Sequence, residues 1–119
     1  MTQENKELLL KDLCARLPYG VYVQVVDRVG YTHTWEIKPE IIEKMGWSFK
    51  SVKPYLRPMS SMTVEESGEY YNIETKNLFS WEISSKQMDW LNAHHFDYRG
   101  LIEKGLAIEV TEDNNPYKD

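Results

Sequence analysis

A chain of 119 residues is long enough for one domain with a core of its own and too short for two ordinary ones. Its net charge of −5 repels phosphate backbones at long range and argues against non-specific nucleic-acid binding. The single cysteine, Cys14, excludes an internal disulfide and a Cys-based zinc site, and suits a reducing compartment.

The opening MTQENKE is polar and lacks the basic-then-apolar pattern of a secretory signal. No apolar run approaches the length of a membrane span. A soluble cytoplasmic protein that does not enter a membrane is the expectation. Residues 3–17 follow as an amphipathic helix. Leu9, Leu10, Leu13, Cys14 and Leu17 recur at three- and four-residue spacing, with Glu7, Lys11, Asp12 and Arg16 on the other side. On that reading Cys14 is a buried, inert thiol. Pro18 and Gly20 stop the helix.

Residues 21–27 are β-branched and strand-like, and Asp27 to Gly30 reads as a turn. Residues 31–37 alternate, with Tyr31, His33, Trp35 and Ile37 on one face, as a half-buried strand antiparallel to the one before. A short helix fits residues 39–45, with Pro39 at its first position and Gly46 as its stop. Trp47, Phe49 and Ser51 begin a third strand. The segment from Lys53 to Pro58 carries two prolines, which predicts a strap across the surface or a sheet edge.

Thr63 with Glu66, and Ser84 with Gln87, have the spacing of capping boxes. They predict one short helix near residue 64 and another running to about His94. Residues 69–82 fit strand or helix equally. Asp97 can cap a further short helix that Gly105 closes. Residues 106–110 read as a last strand, and the polar tail from 112 to 119 as frayed. The expected fold is α+β: residues 1–111 form one domain, a small antiparallel sheet built on the N-terminal hairpin. An N-terminal amphipathic helix and two short C-terminal helices pack on that sheet. Trp35, Trp47, Trp81 and Trp90 are the expected core anchors.

Two groups of residues carry functional readings. Residues 21–60 hold six Lys/Arg against four acids, and the Lys53–Pro58 segment offers Lys53 and Arg57 beside an exposed or half-exposed Tyr55. Such a surface can take a partner protein or stack on a base; the bland alternative is a connector whose Tyr55 and Leu56 plug the core. The second group is His94, His95, Tyr98 and Arg99, with Asp97 among them. Histidine and aspartate bind metals, but adjacent histidines on a helix point about 100° apart. No metal site and no cofactor is therefore assigned, and no catalytic residue either. Phosphate loops, nucleophile elbows and paired cysteines are missing from the sequence.

The stretches KPYLRPMSSMT (53–63) and WLNAHHFDYRGLIEKGLAIE (90–109), with the opening from Leu9 to Gly20, resemble an uncharacterised family of short proteins from gut anaerobic bacteria, their prophages and mobile elements. The matching stretches cover roughly two fifths of the chain. The resemblance implies a bacterial cytoplasm and a phage or mobile-element role, and no reaction. The leading expectation is a non-enzymatic protein-binding accessory or regulatory module with a protein partner. The alternative is a nucleic-acid-binding regulator using residues 38–57 or the 85–104 helix pair. A metal-dependent enzyme at His94 and His95 ranks third.

Overall fold

The computed structural model describes residues 2–73 and 84–117. Helix α1, Gln3–Arg16, opens on Thr2, whose side chain accepts the Asn5 N–H, so one of the free amides of the first turn is satisfied. It ends in a 3-10 turn, Leu17–Tyr19, and Gly20 at φ 67° redirects the chain. A Cβ there would also lie 2.9 Å from a Glu36 carboxylate oxygen. The buried side of α1 is Leu9, Asp12, Leu13 and Arg16. The predicted stripe is thus rotated: Asp12 and Arg16 are inside, whereas Cys14 is exposed. A mutually neutralising Asp–Arg pair one turn apart can be buried where a lone charge cannot.

Strands β1, Tyr22–Asp27, and β2, Thr32–Glu36, form the expected antiparallel hairpin, with Val23 opposite Trp35 and Val25 opposite His33. The turn is held by Asp27, whose Oδ1 accepts the N–H groups of Val29, Gly30 and Tyr31 at 2.9–3.0 Å. Its other oxygen meets His33 Nε2 at 3.1 Å. The His33 ring, together with those three amides, holds the Asp27 carboxyl below its ordinary range. Helix α2, Pro39–Glu43, follows with Pro39 in its first turn, and Gly46 turns the chain at φ 87°.

Strand β3, Phe49–Pro58, includes the proline-bearing segment. It is neither a strap nor an edge. The sheet order is β2-β1-β3-β4, so β3 is internal, and β5 pairs with it as well. Pro54 sits opposite Val23, near the end of the β1 ladder. Pairing with β5, Ile108–Glu109, starts one residue later at Tyr55, and with β4, Phe96–Asp97, at Arg57. The prolines therefore fall where β3 exchanges partners or ends, so few ladder donors are lost. Both late pairings are parallel, so the sheet is mixed, not purely antiparallel.

Helices α3, Val64–Tyr71, and α4, Ser85–Ala93, each begin with a complete capping box, at Thr63/Glu66 and Ser84/Gln87. The α+β architecture and the N-terminal helix before a hairpin are as expected; the second C-terminal helix is not formed. Residues 98–107 contain no helix, and 101–107 are turns and bends. Asp97 does cap there, accepting the N–H groups of Leu101 and Ile102 at 3.0 Å, but it closes a turn. Nor does the tail fray through residue 117. Tyr117 donates its hydroxyl to the Tyr55 carbonyl at 2.8 Å and accepts the Tyr22 N–H at 3.0 Å.

The main core lies between α1, the sheet and the C-terminal turns: Leu9, Leu13, Val21, Val23, Val25, Val52, Leu56, Leu101 and Leu106 are all buried. A smaller cluster of Tyr70, Leu91 and Phe96 joins α3, α4 and β4, with Trp90 packed against it. Two expected anchors are outside: Trp35 is 39% and Trp47 is 65% exposed. Trp81 lies outside the described residues. Among the described residues no helix is long and apolar enough to cross a membrane.

Candidate functional site

The residues expected to bind fall into two groups, and neither forms the surface the sequence predicted. Tyr55 is buried, at 8% exposure, because it occupies an internal strand. Its ring is not available for stacking on a base. Arg57 lies over the Phe96 ring at 4.2 Å and grips both Glu66 carboxylate oxygens at 2.7 Å. This bidentate pair holds the Glu66 carboxyl well below the usual range, at about 2. Lys53, half-buried, is opposite Gln24 and apart from any cluster.

His95, Tyr98 and Arg99 do converge, on partners contributed by α1. Asp12 accepts Arg16 Nε at 2.8 Å on one oxygen and Arg99 Nη1 at 2.7 Å on the other. Arg16, fully buried, also donates to the Phe96 carbonyl at 2.6 Å. Both guanidinium groups lie against the Tyr98 ring, at 5.3 and 4.5 Å from its centroid, and Tyr98 donates its hydroxyl to Asn92. His95 stacks on Tyr117 at 3.9 Å and takes a left-handed backbone, φ 63°, which few non-glycine residues adopt. Burial, then the charges of Arg16, His94 and Arg57, push its imidazole down to about 4, so the ring is neutral near pH 7.

His94 goes elsewhere. Its Nδ1 contacts the Trp90 carbonyl at 2.9 Å and its ring stacks on Trp90 at 4.0 Å. The two histidines are thus held against different neighbours, and no cluster of three or more metal-binding side chains occurs among the described residues. The second helix needed for a helix-turn-helix is replaced by turns. The Asp12–Arg16–Arg99 network ties α1 to the C-terminal turns, and its chemistry is that of a buried electrostatic tie.

Val64 and Tyr71 are exposed on α3, and a second set of exposed apolar side chains lies around the hairpin, α1 and α2. Trp35, Trp47, Tyr31 (68% exposed), Val29 and Leu10 are all displayed. β2 is the end of the sheet order, an open edge among the described residues. Asp27 N–H donates to the Tyr31 carbonyl, and Ile37 N–H to the Val21 carbonyl. Hydrogen-bonded pairs alternate along an antiparallel ladder, so His33 and Trp35 also point their backbone groups toward β1. The N–H and C=O groups of Thr32, Thr34 and Glu36 therefore point away from the sheet. Trp35 stacks on His33 at 4.6 Å and meets Phe49 edge-on at 5.8 Å. Trp35 and Phe49, with Glu36, Lys38, Glu40, Ile41 and Lys44, line a groove of about 400 Å³ between β2 and α2.

Sequence reasoning assigned Trp35 and Trp47 to the core because tryptophan usually goes there. The signal for the opposite was the position of β2: it is the second arm of a hairpin whose first arm carries the all-apolar Val21, Val23 and Val25. No protein-family model, no curated protein and no solved structure matches the chain.

Proposed function

We propose that this chain is a small non-enzymatic protein-binding module that takes an extended segment of a partner protein as an added strand along β2. The observation that carries the reading is a sheet edge that no strand pairs among the described residues, flanked by exposed aromatics. Natural proteins blunt such edges with lysine, proline, bulges or a covering element. The β2 sequence THTWE has no lysine or proline, and its register with β1 is unbroken. Backbone hydrogen bonds to Thr32, Thr34 and Glu36 would supply affinity. The groove beside Trp35 would supply selectivity for alternate side chains. An accessory or regulatory role for a prophage or mobile element, in a bacterial cytoplasm, belongs to the same proposal and rests on the sequence resemblance alone.

The test is capture of a partner by tagged protein from host lysate treated with nuclease, beside Thr34→Pro and Trp35→Ala. Proline at 34 removes an outward N–H and leaves the β1 ladder complete. The expected result is a stoichiometric protein held by the wild type and lost from both variants, whose near-ultraviolet circular dichroism shows intact packing. Equal retention by Thr34→Pro, or recovery of nucleic acid alone, would refute strand addition.

A further inference from the structure

On the other side of α2 lies a second groove, enclosed by α1, α2 and β3, with a volume of about 470 Å³. We propose that it binds a small amphipathic carboxylate: an acyl chain seated on the apolar floor with its carboxylate at a cationic rim. The floor includes Leu9, Met45 and Val52, and the rim carries Lys6, Arg28 and Lys50. Among the described residues no Asp or Glu lines the groove, although the chain as a whole has net charge −5. A concentration of positive charge against the sign of the molecule is what an anionic ligand complements.

Among the described residues none of the three cations takes part in an ion pair. Arg28 is fixed by donating Nε and Nη2 to the carbonyls of Trp47 and Gly46, at 2.8 and 2.7 Å, so its charge is positioned and not neutralised. Lys6 and Lys50 are exposed, their flexible stems free to bring an ammonium to a headgroup. The volume falls in the roughly 300–1,000 Å³ range of small-molecule sites, which pair apolar walls with a few polar groups. A polypeptide segment is better served by the β2 edge, which contributes no residue to this groove.

The probe is sodium decanoate below its micelle concentration, added to the full chain and followed by calorimetry and amide NMR. Saturable one-to-one binding is expected, with shifts centred on Leu9, Met45 and Val52. Decanol and decylammonium should bind at least tenfold more weakly, and so should decanoate to the Lys6→Glu/Lys50→Glu variant. Both lysines are exposed, so that variant should retain the wild-type amide spectrum. Absence of saturation, equal binding of decylammonium, or undiminished binding to the charge-reversed variant would overturn the proposal. So would loss of a captured protein partner from that variant when decanoate itself does not bind, since the rim would then belong to a protein interface. Thr34→Pro should bind decanoate normally, which separates this site from strand addition at β2.

Discussion

Asp12 holds two guanidinium groups where solvent does not reach: Arg16 is fully buried and the Arg99 side chain is 13% exposed. Removing one partner of such a group strands the others without compensation, at a cost of about 3–5 kcal/mol. Asp12→Ala should therefore lower stability by that amount in urea unfolding; a loss under about 1 kcal/mol would mean the network is solvated. His95 gives the molecule an acid sensitivity. Its folded value of about 4 lies below the ordinary 6.5, so between those values the unfolded chain binds a proton that the folded chain refuses. Its contribution is complete above about pH 6.5 and lost as pH falls toward 4. Because the ring is only half-buried, screening reduces the effect to on the order of 1–2 kcal/mol. His95→Asn, which tolerates the left-handed backbone, should flatten unfolding free energy against pH over that window. The Glu66 contribution, lost only as pH falls from 4.5 toward 2, should persist in the variant. The pairs that define this region were not legible in the sequence, since Asp12 and Arg99 are 87 residues apart.

At the scale of elements, α1 shows how far a periodic pattern reaches. Its length, start and stop follow from neighbours within a few residues, whereas its rotation about its axis depends on what it meets. Leu9 and Leu13 are buried, Leu10 is displayed, and the Asp12–Arg16 pair takes the place an apolar stripe would hold. Leu13→Ala should cost about 2–5 kcal/mol in chemical denaturation, because the side chain is fully enclosed. An unchanged midpoint would contradict its place in the core. β3 carries the same lesson for strands. Two prolines argue against an internal strand, and here they stand at a partner exchange and a strand end, positions that only the topology defines.

For the whole molecule, the C-terminal tail is a structural part of the sheet. Tyr117 links β1 to β3 through one hydroxyl that accepts from Tyr22 and donates to Tyr55, and its ring lies on His95. Burial pushes its phenol above the ordinary value, so it remains a donor across the accessible range of pH. Tyr117→Phe should cost about 1–3 kcal/mol by leaving a half-buried amide and a carbonyl unpaired. Thermal melts of this variant and of a chain ending at Val110 should both shift down; unchanged melting would show that the tail is dispensable. The exposed rings of Tyr31, Trp35 and Trp47 lie around the hairpin and α2.

By itself the sequence determined the features written in short range. These are the two capping boxes, the Asp27 turn of the hairpin, the glycine stops at 20 and 46, and hence an α+β chain opening with a helix and a hairpin. Each depends on hydrogen bonds or backbone preferences spanning only a few residues. Only the tertiary structure decided that β3 is internal, that Asp12 and Arg16 lie inside, and that Trp35 and Trp47 remain exposed. Whether an amphipathic side chain is buried is fixed by the partners that long-range packing brings to it, and the local pattern does not encode them.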